Sequence, residues 1–178
     1  MLIFLCSGSN AVDFTCQMLP TFLVEGDPKA FRFDPKRAIA SAFNETEEAF
    51  ADSVGMEEDS GACACIVLFR GRDLWAANVG DCRAVVIRES GTTKQLTLDH
   101  RASVKSEKAR VLKAGGSVKN GRVFGILMPS RTVGDLHLKP SKSDRPPVRH
   151  ALPSGVFCTV SHSRSHCACT CLLSGGYC

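Results

Sequence analysis

The end of the chain carries the densest group of side chains that could bind a soft metal ion. Five histidine and cysteine residues fall within ten positions: His162, His166, Cys167, Cys169 and Cys171. Imidazole and thiolate are common zinc ligands, and the spacing of the two histidines matches a known zinc pattern. The alternating cysteines lack the two-residue gap of a zinc knuckle, and no apolar scaffold surrounds them. The pattern therefore favours a disordered extension over structural zinc, and Cys158 and Cys178 flank it.

The middle of the chain offers single charged side chains instead of a cluster. Asp81 follows Gly80 between two apolar runs, where a Gly-Asp pair is typical of a turn. Asp135 is expected to hold a loop. Arg83 and Arg131 are expected to pair with carboxylates inside the fold rather than to bind a substrate. These residue types leave the catalytic residues unknown and indicate no cofactor-binding residue.

Length and composition limit the class of protein in which these residues occur. The 178 residues suffice for one domain, and 44% hydrophobic with 22% charged residues excludes wholesale disorder and collagen-like or coiled-coil architecture. The net charge of +4 is too small and too dispersed to indicate nucleic acid binding. No apolar run is long enough to cross a bilayer, and the first residues lack the pattern of a signal peptide. We expect a soluble protein with no nucleic acid or membrane partner and leave its oligomeric state open.

The ten cysteines are unevenly distributed. Five of them lie in the last 21 residues, and residues 83–157 contain none. A secreted disulfide framework spreads its cysteines more regularly through a short chain. We therefore expect reduced cysteines and an intracellular protein, in the cytoplasm or the nucleus.

Hydrophobic periodicity predicts the first elements. Residues 1–35 show no sustained period and contain several prolines, which indicates an irregular N-terminal segment. From Lys36 to Phe50, apolar residues recur every three or four positions, as in an amphipathic helix. Pro35 suits the first turn of this helix, and Asp34 is the predicted N-cap.

The pattern of the next region predicts short antiparallel strands. Two apolar runs, Ala64–Phe69 and Leu74–Val79, flank a polar turn and predict a β-hairpin. Arg83–Ile87 and Lys94–Leu98 predict two further strands, so that the four would form a meander. Because the first run is continuously apolar, both faces of the sheet should be covered.

A second helix and a tight hairpin follow. The helix runs from about Val104 to Ala114 and ends at two glycines. Asn120-Gly121 then predicts a two-residue hairpin turn. Beyond Lys139, prolines interrupt the chain and the apolar period disappears. We therefore divide the chain into an irregular segment (1–35), a folded domain (36–140) and a disordered tail rich in serine, cysteine and histidine (141–178).

Six short segments between residues 60 and 139 form a series of motifs in a fixed order. They are Ser60–Ala64 (SGACA), Leu74–Ala84 (LWAANVGDCRA), Leu96–His100 (LTLDH), Glu107–Val118 (EKARVLKAGGSV), Arg122–Leu127 (RVFGIL) and Ser130–Asp135 (SRTVGD). In this order and spacing they resemble the central part of the protein phosphatase 2C family of metal-dependent serine/threonine phosphatases. The preceding helix extends this resemblance to residues 36–139.

The resemblance implies a fold, a reaction and a cofactor. The fold would be a partial α/β/β/α sandwich, with two antiparallel sheets packed face to face and helices outside, in the α/β (α+β) class. Family members hold two Mg²⁺ or Mn²⁺ ions through oxygen ligands. A water molecule activated by these ions attacks the phosphorus of phosphoserine or phosphothreonine in protein substrates.

The resemblance transfers to individual site residues only in part. It places Asp81 at the position of an aspartate that helps to bind an additional, weaker metal ion. The family's principal ligands come from upstream Arg-x-x-x-Glu-Asp and Asp-Gly-His-Gly-Gly elements and from downstream Asp-Gly and Asp-Asn elements, none of which occurs here. Since two divalent ions need several converging carboxylates, Asp81 alone cannot complete such a site.

These observations predict a protein phosphatase 2C relative whose catalytic site is incomplete in this chain. Two alternatives remain open at this level. The chain could act as a protein-interaction module without turnover, as a pseudophosphatase does, or it could be a truncated product without function.

Overall fold

Two antiparallel sheets form the middle of the fold. The computed structural model describes residues 2–6, 9–54, 58–71, 73–88, 90–139, 159–164 and 168–172. The strands are β1 (Leu2–Cys6), β2 (Gly61–Arg70), β3 (Asp73–Val79), β4 (Arg83–Ile87), β5 (Thr93–Gln95), β6 (Val118–Lys119), β7 (Arg122–Val123), β8 (Val133–Gly134), β9 (Thr159–Arg164) and β10 (Ala168–Leu172). The first sheet has the order β1-β2-β3-β9, with β8 pairing the start of β2, and the second has the order β10-β4-β5. Strands β6 and β7 form a separate hairpin.

Two of the helices pack on the first sheet, and a third packs on both of these helices. The helices are α1 (Ser9–Glu25), α2 (Pro28–Phe33), α3 (Pro35–Ser53) and α4 (Lys105–Lys113), followed by a 3₁₀ turn at Leu136–Leu138. Helices α1 and α3 contact each other and the strands of the first sheet, whereas α4 contacts the β6-β7 hairpin. The mixed architecture of helices and antiparallel sheets confirms the predicted fold class.

Strand β2 separates two hydrophobic cores. Its even-numbered residues, such as Ile66, belong to the core under the helices, whereas Cys63, Cys65 and Val67 belong to the core between the sheets. This alternation follows from the two-residue period of a strand. Since residues 62–68 are all buried, the continuous apolar run is explained, and the predicted coverage of both faces is confirmed.

Helix α3 confirms the first predicted helix and its start. The Asp34 carboxylate accepts a hydrogen bond from the backbone N–H of Arg37 at 3.2 Å, and Pro35 occupies the first turn. Such a cap stabilises a helix by about 1 kcal/mol. The apolar stripe of α3 includes Ile39, Phe43 and Phe50. It is buried in the core between the helices and the first sheet.

The prediction of an irregular N-terminal segment is wrong over α1 and α2. Helix α1 buries Ala11, Thr15, Leu19 and Leu23, four residues apart, against α3 and β2. The period was hidden because Thr15 is polar and because Pro20 lies inside the helix. The Thr15 hydroxyl donates to the carbonyl of Ala11 at 2.6 Å, which satisfies it inside an apolar stripe.

The hairpin of β2 and β3 and the strand β4 are confirmed, but the predicted meander is wrong. Strand β4 pairs with β5 and β10 in the second sheet, so the chain changes sheets at residues 80–82. Gly80 permits this change with a φ of +85°, and the Asn78 amide donates to the carbonyls of Gly80 and Cys82 at 3.0 Å. The next strand ends at Gln95 instead of Leu98, because the Thr97 hydroxyl accepts the hydrogen bond of the Ala84 backbone N–H.

Two strands come from the segment for which the sequence predicts disorder. Residues 159–164 pair with β3, and residues 168–172 pair with β4. The prediction is wrong over these residues because an open strand edge offers backbone donors and acceptors that a polar segment can satisfy without an apolar period. Residues 140–158, 165–167 and 173–178, which include His166, Cys167, Cys158 and Cys178, lie outside the described residues.

Helix α4 and the following hairpin confirm the second predicted helix. Val111 of the helix packs with Ala102 and Val123 in a third small core. Asn120 and Gly121 both have positive φ, as a two-residue hairpin turn requires.

Candidate functional site

Asp81 lies in the turn where the chain changes sheets. Its carboxylate is buried, and Oδ2 accepts a hydrogen bond from Arg101 Nε at 3.1 Å. The Cys63 thiol lies 3.9 Å from Oδ1. Asp81 therefore faces the inner layer of the sandwich together with a guanidinium group that neutralises its charge.

A second ion pair lies beside Asp81. Arg83 binds both carboxylate oxygens of Asp99, at 2.9 and 2.5 Å. Arg101 Nε also lies 3.8 Å from Asp99, so Arg101 bridges the two carboxylates. The hydrogen bond with Asp99 raises the pKa of the Arg83 guanidinium. The expectation that Arg83 is an ion-pair partner is confirmed.

Glu107 anchors helix α4 to the loop that precedes β8. Arg131 binds its two carboxylate oxygens at 2.9 and 2.6 Å, and Arg110 and Ser130 donate to Oε2 at 2.8 and 2.6 Å. Burial alone would raise the pKa of Glu107, but the hydrogen bonds from Arg131, Arg110 and Ser130 lower it well below its usual value. Arg131 is therefore an ion-pair partner, as expected, and Glu107 stays ionised in the fold.

Asp135 closes the loop against the start of β2. It has a φ of +50°, its backbone N–H donates to the carbonyl of Ser60 at 2.8 Å, and its carboxylate lies directly against Gly61. Burial raises the pKa of Asp135. A cavity with room for about one water molecule lies beside it, lined also by Cys63 and Thr132. The loop-holding role expected for Asp135 agrees with these contacts.

His100 lies next to this network and carries a strongly perturbed imidazole. Burial lowers its pKa to about 4, and the positive charges of Arg131 and Arg110 act in the same direction, against the opposing effect of Glu107 and Asp99. The His100 backbone carbonyl accepts a hydrogen bond from Ser130 at 2.7 Å. The imidazole is therefore neutral in the folded protein at neutral pH.

We expect the free energy of unfolding to fall by about 2–3 kcal/mol as the pH decreases from about 6.5 to about 4 because of His100. In this range the unfolded imidazole takes up a proton and the folded one does not, so protonation favours unfolding. Urea unfolding at a series of pH values, compared between the wild type and His100→Asn, isolates this contribution. His137→Asn, at an exposed position, is the control. Full retention of the pH dependence in His100→Asn would contradict the assignment.

The described side chains do not fit a pair of Mg²⁺ or Mn²⁺ ions. Within the described ranges, no three His, Cys, Asp or Glu residues converge in the way that metal binding requires. Four carboxylates at or near the site, those of Asp81, Asp99, Glu107 and Glu47, are each paired with an arginine or lysine. Since hard divalent ions need several available oxygen ligands, these residues form an ion-pair network and not a metal centre.

Sequence reasoning missed the partners that complete this network. Asp99 and Glu107 lie in the phosphatase-like motifs and Arg101 directly follows one of them, but their pairing depends on how separated segments meet. Two of the candidate zinc ligands of the tail lie in different sheets. His162 lies opposite Trp75 in the first sheet, and Cys169 lies opposite Val86 in the second.

Comparisons with known sequences identify many similar phosphatases. A family model described as Protein phosphatase 2C matches residues 6–168, which extends beyond the resemblance at 36–139 on both sides. Probable protein phosphatase 2C 57 of Oryza sativa subsp. japonica is 39% identical over 138 residues, which cover 76% of this chain and 37% of the relative. Probable protein phosphatase 2C 27 of Arabidopsis thaliana is 37% identical over 141 residues, covering 79% of this chain and 36% of the relative. The chain thus spans little more than a third of these relatives' length.

Solved structures share the fold at lower identity. A C. elegans sex determining protein aligns with a TM-score of 0.72 at 20% identity, over 92% of this chain and 39% of that one. A phosphatase from a pathogenic strain of Toxoplasma gondii aligns with a TM-score of 0.67 at 19% identity, over 91% of this chain and 64% of that one. None of the helices in the described part of the chain has the length and hydropathy needed to cross a membrane.

Proposed function

This chain belongs to the protein phosphatase 2C family, and on that premise we propose that it supplies the scaffold of a metal-dependent protein serine/threonine phosphatase but has no turnover by itself. The substrates of the complete activity would be phosphoserine and phosphothreonine in proteins. The observation that carries this proposal is the pairing of Asp81, Asp99, Glu107 and Glu47 with arginine or lysine. The short coverage of the relatives, little more than a third of their length, also supports it.

The proposed inactivity follows from charge and ligand counting. The Asp81 carboxylate already accepts from Arg101, and its carboxylate neighbour Asp99 is held by Arg83 on two oxygens. A divalent ion placed there would have to compete with two fixed guanidinium groups. The role of Asp81 as a ligand of an additional Mg²⁺ or Mn²⁺ ion therefore stays a prediction, and no step of a reaction is derived from it.

The domain division and the cellular location are proposals of the same kind. We place the folded unit at 36–140, to which α1 and α2 add helical packing and residues 159–164 and 168–172 add edge strands. The cysteine distribution supports an intracellular location, in the cytoplasm or the nucleus. The small net charge of +4 supports protein partners over nucleic acid.

We expect the purified chain to show no EDTA-sensitive hydrolysis of p-nitrophenyl phosphate or of a phosphothreonine peptide in the presence of Mn²⁺. A complete phosphatase of the same family, assayed in parallel, controls for the conditions. Calorimetric titration with Mn²⁺ tests Asp81 directly, and Asp81→Asn is the comparison. Robust EDTA-sensitive turnover would overturn the incomplete-site proposal. Stoichiometric Mn²⁺ binding that Asp81→Asn abolishes would support the predicted role of Asp81 for an additional ion, and absence of such binding would contradict it.

A further inference from the structure

The unit formed by α4 and the β6-β7 hairpin concentrates positive charge. Residues 100–134 contain eight arginine and lysine residues and a single carboxylate, that of Glu107. Arg110 and Arg131 neutralise Glu107, and Arg101 pairs with Asp81. Five cations of this unit remain, and we use the name basic face for the surface positions they occupy on α4 and the hairpin: Lys105, Lys108, Lys113, Lys119 and Arg122. None of these five makes an ion pair with a carboxylate of the described residues.

The helix presents part of the basic face as one stripe. Lys105, Lys108 and Leu112 follow an i, i+3, i+7 spacing and therefore lie along the same side of α4. All three are exposed, and Leu112 keeps 49% of its surface accessible. Glu107 and Val111, four positions apart, form the buried side of the helix next to this stripe. The stripe is thus available to a partner.

The hairpin adds two cations in an arrangement that costs stability. Lys119 and Arg122 lie directly opposite each other in the antiparallel register of β6 and β7. Like charges at such positions repel each other. The Arg122 guanidinium donates to the carbonyl of Ile126 at 2.7 Å, and the Ile126 side chain beside it is 59% exposed. An anionic partner would relieve the repulsion and could cover the apolar side chain.

We propose that the basic face binds an acidic segment of a partner protein, with Leu112 and Ile126 contacting apolar residues of that segment. The combination of cations with exposed aliphatic side chains favours a peptide over a nucleic acid, whose phosphate backbone offers charge and hydrogen-bond acceptors but no apolar side chains. It also differs from a membrane-binding helix, because α4 has only nine residues and its Val111 is buried in the third core. This binding does not require phosphatase turnover.

Fluorescence anisotropy with a labelled Glu-rich peptide of about twelve residues that includes two leucines tests the proposal. We expect saturable binding that weakens as salt is raised from about 0.05 M to about 0.3 M, because screening acts on exposed charges. Lys105→Glu/Lys108→Glu is expected to weaken binding at least about tenfold. Leu112→Ser is expected to weaken peptide binding by less than this double variant does, and to leave the salt dependence of binding unchanged.

The matched control, Lys36→Glu/Arg37→Glu, reverses the charge of two exposed residues in the first turn of α3. This variant changes the net charge equally and should bind the peptide like the wild type. Absence of binding by the wild type, an equal loss in the control variant, or tighter binding to duplex DNA or to phosphatidylserine vesicles would each overturn the proposal. Circular dichroism confirms that each variant is folded, and Lys105→Gln/Lys108→Gln provides a milder replacement. Failure here would leave the turnover experiment unaffected, since the two use separate readouts.

Discussion

Glu107→Ala should destabilise the fold by about 3–5 kcal/mol, the usual cost of removing one partner from a buried ion pair. The side chains of Glu107, Arg131 and Arg110 are only 8, 18 and 21% exposed. Without the carboxylate, two guanidinium groups and the Ser130 hydroxyl lose their common acceptor inside the fold. The loss should exceed the value of an exposed ion pair because these charges cannot return to water without opening the loop.

Urea unfolding monitored by the fluorescence of Trp75, the single tryptophan, measures this loss. Glu48→Ala, at an exposed position of α3, is the matched control and should change the stability by no more than about 0.5 kcal/mol. Glu107→Gln tests the charge separately from the shape. A loss below about 1 kcal/mol for Glu107→Ala would show that the network contributes little.

The same network gives stability a defined dependence on acid. The folded-state pKa of Glu107 is lowered from 4.5, so its stabilising contribution is present above that value. The contribution is lost as the pH falls below about 4.5 toward the folded-state pKa. The Glu107→Ala variant should therefore lose less stability than the wild type in this range. The His100 effect occupies the higher range, between about 6.5 and about 4, and the two can be separated by pH.

Local signals in the sequence predicted the elements that depend on local physics. The cap at Asp34, the period of α3 and the turn at Asn120-Gly121 each follow from a few neighbouring residues, and each is present in the structure. Helix α1 was missed because its buried face includes Thr15, whose hydroxyl is satisfied by the helix itself. Such a satisfied polar residue cannot be distinguished from an exposed one by pattern alone.

Long-range pairings account for what the sequence could not predict. Strand β4 is adjacent to β3 in the chain but joins the other sheet, because the turn at Gly80 and the amide of Asn78 redirect it. The candidate site shows the same limit. Asp81 was assigned from its motif, but whether its carboxylate is available depends on Arg101, which lies 20 positions later. Charge pairing across segments is a property of the fold and not of any one motif.

Gly134→Ala is the second substitution expected to have a large effect, about 2–5 kcal/mol of lost stability. Gly134 has a φ of +80°, which L side chains rarely adopt, and a methyl group there would overlap the backbone carbonyl of Ser60. It would also approach the Ala11 Cβ to 3.1 Å and the Phe50 ring to 3.2 Å. The carbonyl cannot move away easily, because it accepts the hydrogen bond of the Asp135 backbone N–H at 2.8 Å.

Gly91→Ala separates the two causes of this loss. Gly91 has a φ of +78°, nearly the same as Gly134, but no atom of the described residues, apart from its own chain neighbours, would lie within 4 Å of the added methyl group. It should therefore show only the backbone cost, about 1–2 kcal/mol. The difference between the two variants in urea unfolding measures the crowding at the point where α1, α3 and the start of β2 meet β8. Equal losses in both would mean that this junction can expand, and that the loop carrying Asp135 is held less tightly than its contacts imply.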